Sequence, residues 1–237
     1  MIYYFQKGFN FSQDGPGNRL VYHLCGCNMK CPWCSNPEGM IKSDNAIGIE
    51  VPDLAKEIYL CKPMFFGGGG VTFSGGECTL QWNELSAVYD ILHAKKVNVA
   101  IESNAATEDF VAAANKVDYV MCDFKSPLET ALKDTADGDL QLIKSNIIAA
   151  SENNFLHIRI PLIHHFNDDD ISLDGFVEFF KTLNNFDVEI LPYHEYGKEK
   201  WKKLGLEYKV KGGRVSKETV QKFKDTFSEN GIKLLRT

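Results

Sequence analysis

The sequence predicts an α/β fold, a partial (β/α)6 barrel of TIM type, and three observations predict it. Short apolar runs alternate with amphipathic stretches, the runs are apolar on nearly every residue, and polar or special residues recur where the runs end. The expected strands are Arg19–Leu24, Val71–Ser74, Val97–Glu102, Tyr119–Asp123, Leu156–Pro161 and Val188–Leu191. Near-continuous apolarity is the mark of parallel strands covered on both faces. Between them, Leu85, Val88 and Leu92 share one helical face, as do Leu142, Ile143, Ile147 and Ile148, then Phe176, Val177, Phe180 and Leu183, and last Val220, Phe223 and Phe227. Strand–helix alternation implies a parallel sheet with right-handed crossovers. Six strands are too few for a complete eight-stranded barrel and suit an open one. The Gly67–Gly70 run leads straight into a strand, so it reads as a tight loop and not a linker. One domain over residues 1–237 is expected.

Composition excludes several classes. The chain has 237 residues, Lys+Arg 26 against Asp+Glu 32 and a net charge of −6, a poor match to a phosphate backbone, so no nucleic-acid partner is expected. At 44% hydrophobic and 24% charged it is too apolar for a disordered chain. No run of about 18 apolar residues exists to span a membrane. The N-terminus lacks the charged head and apolar stretch of a signal peptide, so a cytosolic protein is expected. Seven cysteines, an odd number, fit a closed disulfide framework badly and point to metal or redox chemistry in a reducing compartment.

Four of those cysteines, Cys25, Cys27, Cys31 and Cys34, follow the first expected strand. Cys27-x3-Cys31-x2-Cys34 puts three thiolates on one loop. A structural zinc site normally closes with four ligands, usually as two separated pairs, and no second pair follows. Compact loops of thiolates suit an iron–sulfur cluster, and a [4Fe–4S] cluster held by three keeps one iron open. Cys25 is one residue from Cys27, too close for both to reach different irons easily; it packs nearby or is a fourth ligand. The other strand ends carry Ser74-Gly75-Gly76-Glu77, Glu102-Ser103-Asn104, Asp123-Phe124-Lys125, Arg159, and His194-Glu195. Ligands bind at the carboxyl ends of strands in parallel α/β folds. Asp14-Gly15-Pro16-Gly17 has ordinary turn composition. The His164-His165 and Asp168–Asp170 loop reads as solvated surface, and the Lys198–Lys203 segment with Trp201 as a solvated helix end, with a basic patch facing a partner or electron donor as the alternative.

The cysteine motif, with aromatic Trp33 before its last member, resembles the signature of radical S-adenosylmethionine (SAM) enzymes. Asp14-Gly15-Pro16-Gly17-Asn18-Arg19, Ser35-Asn36-Pro37-Glu38, Ser74-Gly75-Gly76-Glu77, Met121-Cys122-Asp123-Phe124-Lys125 and Leu191-Pro192-Tyr193-His194-Glu195-Tyr196 are similar to the branch that activates glycyl radical enzymes. The resemblance runs from about Asp14 to the C-terminus. The cysteine motif alone defines only the superfamily; the first and last of these segments are more specific. Ala105 stands where glycine is common in the family, and Cys78 where proline usually follows the Gly-Gly-Glu motif. Many members of the branch carry a ferredoxin-like insert with further cysteine clusters; between Cys34 and Ser74 this chain has only Cys61, so no insert is expected.

The resemblance implies a radical SAM core with a [4Fe–4S] cluster on Cys27, Cys31 and Cys34. It implies SAM contacts from Trp33, Ser74, Gly75, Gly76, Glu77, Glu102, Ser103, Asn104, Asp123, Lys125, Arg159 and His194. Reductive cleavage of SAM would yield methionine and a radical that takes a glycine Cα hydrogen from a partner. That partner would be a glycyl radical enzyme of pyruvate formate-lyase type, and the electron donor a flavodoxin or ferredoxin. Asp14 and Arg19 would touch the substrate peptide near the cluster, and Glu102 with Asp123 would hold a monovalent cation. The rival expectations are a radical SAM enzyme acting on a small molecule and a non-catalytic iron–sulfur or zinc module.

Overall fold

The structure, a computed structural model, describes residues 1–11, 13–40 and 46–235. The fold is α/β, with eight strands that do not close into a full barrel. The chain divides into two compact units that interleave along the sequence: Met1–Asn28, Asn36–Ser103 and Thr107–Met121 in one, and Met29–Ser35, Asn104–Ala106 and Cys122–Thr237 in the other.

In the first unit, β1 (Ile2–Phe11) lies antiparallel to β2 (Asn18–Leu24) on one side and to β3 (Ile47–Ile49) on the other. β2 then pairs in parallel with β4 (Gly70–Gly75), and β4 with β5 (Asn98–Ser103). β2 and β4 are buried along nearly their whole length, as their apolar runs require. Helices α1 (Val51–Leu60) and α2 (Trp82–Ala94) pack on each other, and Leu54, Ile58, Leu85, Val88 and Leu92 are all buried. Each such side chain contributes roughly 1.5–3 kcal/mol by leaving water. The short α3 (Phe110–Ala114) leads to β6 (Tyr119–Asp123), which starts in the first unit and ends in the second.

The second unit continues with α4 (Glu129–Ala136) and α5 (Leu140–Asn153), then β7 (Leu156–Leu162), α6 (Asp170–Phe180) and β8 (Phe186–Pro192). β7 and β8 are parallel, with Arg159 opposite Glu189. The short α7 (Lys198–Lys203) and the long α8 (Lys217–Glu229) follow. Phe124, Phe176, Phe179, Phe180, Phe223 and Phe227 form the aromatic centre; Phe124 meets Phe176 edge-on at 5.6 Å between centroids. Such pairs contribute about 0.5–1.5 kcal/mol beyond the area they bury. Asp139, Asp169 and Ser216 cap α5, α6 and α8 by accepting from backbone N–H groups two or three residues on.

All six expected strands are present, β6 with the expected ends and the other five with shifted ones, and all four expected apolar faces fall on helices. Leu183 lies beyond the end of α6, though it is buried. Strands β1 and β3 and helices α1, α3 and α4 were not expected. In β1 only Ile2 and Tyr4 are buried, so the strand lacks the apolar run that marks its neighbours.

Candidate active site

In the first unit, the carboxyl ends of the strands make a close-fitted edge. Gly75 takes φ +110°, a conformation open to glycine, and a Cβ there would strike the backbone of His23 and Leu24. Gly76 N–H donates to Leu24 O at 2.9 Å, and Glu77 N–H to Gly26 O at 2.7 Å. A Cβ on Gly76 would run into Gly26 O. The two glycines thus bring the exit of β4 against the start of the loop that carries Cys27. Ser74 Oγ donates to Glu102 Oε2 at 2.6 Å, joining the ends of β4 and β5.

Glu77 turns inward. Its side chain is fully buried, and Oε1 accepts from Thr79 N at 3.0 Å, Thr79 Oγ1 at 2.6 Å and Ser103 Oγ at 2.8 Å. The carboxylate caps the 3-10 turn Cys78–Gln81 and pins the end of β5 to it. Cys78, in the place of the usual proline, has a structural account: its thiol donates to Glu102 O at 3.4 Å. Burial, and then the nearby Glu77 and Glu102 carboxylates, push that thiol well up, so it stays protonated. Cys25 is buried, with its N–H on Tyr3 O at 2.9 Å and its carbonyl accepting from Gln81 Nε2 at 2.9 Å.

Asp14 and Arg19 are the residues expected to touch a substrate peptide. They stand at the amino end of β2, whereas the cysteine loop leaves its carboxyl end; seven residues of strand, roughly 20 Å, lie between. Arg19 is fully buried and donates to Thr72 Oγ1 at 2.6 Å, Val71 O at 2.7 Å and Asn98 Oδ1 at 2.9 Å. Burial brings its pKa down to about 10, which leaves it cationic at neutral pH. Asp14 accepts from Asn10 Nδ2, and its carbonyl from Thr72 Oγ1 at 2.7 Å. Arg19 offers no surface to a substrate peptide.

The second unit holds the rest of the cysteine loop. Lys30 N–H donates to Ala136 O at 2.8 Å, and Lys30 Nζ pairs with Asp137 at 3.0 Å. Cys34 N–H donates to Cys31 O at 3.1 Å, and the Trp33 ring packs on Phe166 at 4.4 Å. From the far end of the sequence, Trp201 Nε1 donates to Cys34 O at 2.9 Å. Gly197 lies so near that a Cβ on it would collide with that same carbonyl. These anchors come from the end of α4, the Phe166 loop and α7.

Five further expected residues already have neighbours in this unit. Lys125 Nζ meets Asp123 Oδ2 at 2.6 Å, and Arg159 Nε meets Glu189 Oε2 at 3.0 Å. Asn104 Oδ1 accepts from Ala106 N at 2.9 Å, which holds Ala105 at φ +58°. The turn keeps the left-handed conformation that glycine would take, at a cost of about 1 kcal/mol. His194 stacks on Tyr196 at 4.1 Å, accepts at Nδ1 from Tyr196 N at 3.4 Å, and is shifted down by burial.

The donor set fits an iron–sulfur cluster. Cys27, Cys31 and Cys34 form no disulfide; Cys31 is buried and the other two half-buried. Among the described residues no three His, Cys, Asp or Glu side chains are already gathered about one metal position. A cluster takes one thiolate per iron, so its ligands do not converge on a point. Three residues of the site had no role in the sequence analysis: Trp201, Asp137 and Glu189. Only Trp201 gave a signal, an aromatic among lysines.

The class follows from this arrangement together with a family match. The model of the radical SAM superfamily matches residues 21–174, and the chain belongs to that superfamily. That family implies SAM and a [4Fe–4S] cluster. Its similarities are more particular. It is 32% identical to the pyruvate formate-lyase-activating enzyme of Streptococcus mutans, over 85% of this chain and 81% of that one. It is 29% identical to the 4-hydroxyphenylacetate decarboxylase activating enzyme of Clostridioides difficile, over 92% and 90%. A domain of a pyruvate-formate lyase-activating enzyme from Bacteroides vulgatus superposes with TM-score 0.59 at 25% identity, over 71% of this chain and 98% of that one. A radical SAM methyltransferase from Sphaerobacter thermophilus, at 12% identity and TM-score 0.69 over 96% and 67%, shares the fold. No helix among the described residues is long and apolar enough to cross a membrane.

Proposed function

We propose that this chain activates a glycyl radical enzyme of the pyruvate formate-lyase kind, taking a hydrogen atom from a glycine Cα and leaving the radical on the partner. Cys27, Cys31 and Cys34 would hold the cluster, and SAM would lie along the strand ends at Ser74–Gly76, Glu102–Asn104, Lys125, Arg159 and His194. Cluster and SAM supply the one-electron cleavage that generates the hydrogen-abstracting group; the protein supplies orientation and exclusion of water. The observation that carries the proposal is the glycine edge. Gly75 and Gly76 let the exit of β4 pack directly on the backbone of Leu24 and Gly26, which sets this strand end beside the start of the cysteine loop. Glu77 supports that edge from behind. Arg159, a buried cation, can exchange part of its interaction with Glu189 for a ligand carboxylate.

A flavodoxin or ferredoxin as electron donor belongs to the same proposal. So does a monovalent cation at Glu102 and Asp123, for which oxygen donors are suitable. Lys125 already places one positive charge on Asp123, so the cation would have to share that carboxylate. The test is anaerobic reconstitution of the full chain. About four irons per chain, SAM cleavage on reduction, and an EPR doublet when a candidate glycyl radical enzyme is added support the proposal. SAM consumption driven by a small molecule, with no doublet from any candidate enzyme, overturns it.

A further inference from the structure

On the buried face of α5, between Ile143 and Ile147, stands an amide, Asn146. Asparagine is a poor helix former, and an amide on an apolar stripe costs desolvation unless it is hydrogen-bonded. An aliphatic side chain would suit the helix better on both counts. Asn146 serves a different element instead. Its Nδ2 donates at 2.9 Å to the carbonyl of Ala105, 41 residues earlier in the chain.

Ala105 follows the end of β5 and is fully buried at φ +58°. The left-handed conformation crowds an alanine Cβ against backbone carbonyl oxygen, a strain that glycine escapes. Residues with a Cβ stay in that region only where their surroundings over-determine it. Here two bonds do so. Asn104 Oδ1 accepts from Ala106 N at 2.9 Å, and Asn146 holds the Ala105 carbonyl. The first bond is local to the turn; the second comes from a separate helix and ties the turn to α5. With glycine at position 105 the turn would need no such support; with alanine it does. Asn104, buried at the start of the turn, is among the residues assigned to SAM above.

We propose that Asn146 is a positioning residue for SAM binding: it holds the Ala105 carbonyl, the held turn stays left-handed, and the turn sets the backbone from which Asn104 reaches SAM. The inference rests on the assignment of the Glu102–Asn104 strand end to SAM.

The test is a double-mutant cycle on the full chain loaded with its cluster. SAM is the titrant in anaerobic calorimetry, without reductant, so that it is bound and not cleaved. Asn146→Leu fits the apolar face of α5 but removes the donor, and should weaken SAM binding about tenfold, about 1.4 kcal/mol. Ala105→Gly alone should bind SAM within about twofold of wild type. In Asn146→Leu/Ala105→Gly the loss should shrink from about tenfold to about twofold, because glycine keeps the turn without the donor. Iron content should be the same in all four proteins, since none alters a cysteine. If Asn146→Leu does not fold, Asn146→Ser, whose hydroxyl falls short of the carbonyl, should show the same rescue by Ala105→Gly. Wild-type SAM affinity in the Asn146 variant overturns the proposal, because the amide is then structural only. A loss that is equal with alanine and with glycine at position 105 overturns it too, because the amide then does not act through the turn. Wild type that takes up its cluster yet binds no SAM overturns the SAM assignment itself, and this inference with it.

Discussion

At the amino ends of β2 and β4, Asp14–Arg19 packs against the Phe66–Gly70 loop; at the carboxyl ends of the same strands, Ser74–Glu77 packs against the start of the cysteine loop. Both ends combine glycines, an acid and hydroxyl groups. At the amino end the ionised group is Arg19, and its donors are spent on neutral carbonyl, amide and hydroxyl acceptors inside the unit. At the carboxyl end, Glu77 is spent likewise, but Glu102 is only half-buried and holds Ser74 Oγ at its rim. Residue vocabulary does not separate a structural turn from a binding edge. Strand direction does, because parallel strands all present their carboxyl ends on one side.

The largest expected effect is at the carboxyl end. Cys31→Ala should abolish iron loading at one position and all SAM cleavage, read by iron content and EPR. Arg19→Met should then show the opposite pattern: a stability loss of about 3 kcal/mol or more, since several buried acceptors lose their donor, with unchanged SAM cleavage per folded molecule. A substantial loss of SAM affinity in Arg19→Met would break the comparison between the ends. Two glycine variants sharpen it. Gly69→Ala and Gly76→Ala each force a Cβ against a backbone carbonyl, of Asn18 and Gly26 respectively. Both should lose about 1–3 kcal/mol in urea denaturation, while only Gly76→Ala weakens SAM binding, by about tenfold in calorimetry.

Smaller effects concern the loop anchors. Trp201→Phe keeps the ring but removes the donor to Cys34, and should lose about 1 kcal/mol and shift the EPR of the reduced cluster. Asp137 is held down at about 2 by Lys133 and Lys30. A carboxylate with a lowered folded pKa stabilises the fold fully above its ordinary pKa, and that contribution fades as pH falls toward about 2. Thermal melts of wild type and Asp137→Asn should therefore differ at neutral pH and converge in acid. Ala105→Gly relieves the left-handed turn and should gain about 0.5 kcal/mol.

Much of the fold was legible because parallel strands are apolar on both faces and the helices on one. β1 and β3 escaped because edge strands bury little, and nothing in their pattern separates them from loop. The cysteine ligands and the Ser74–Glu77 edge were legible because their spacing along one segment is itself the chemical signal. The orientation of Glu77, the partner of Arg159 and the clamp from Trp201 were not. Glu77 and Ser103 are 26 residues apart, Arg159 and Glu189 30, and Trp201 and Cys34 167. No local pattern encodes pairs at such separations.

By itself, then, the sequence determined the α/β class, the strand order along the chain and the gathering of three cysteines on one loop, since each rests on residue type at short range. Tertiary structure alone decided that Arg19 is buried at the amino end of β2, and that a lysine-rich helix far along the chain holds the last cysteine. Those outcomes depend on strand direction and long-range hydrogen bonds, which exist only once the chain has closed on itself.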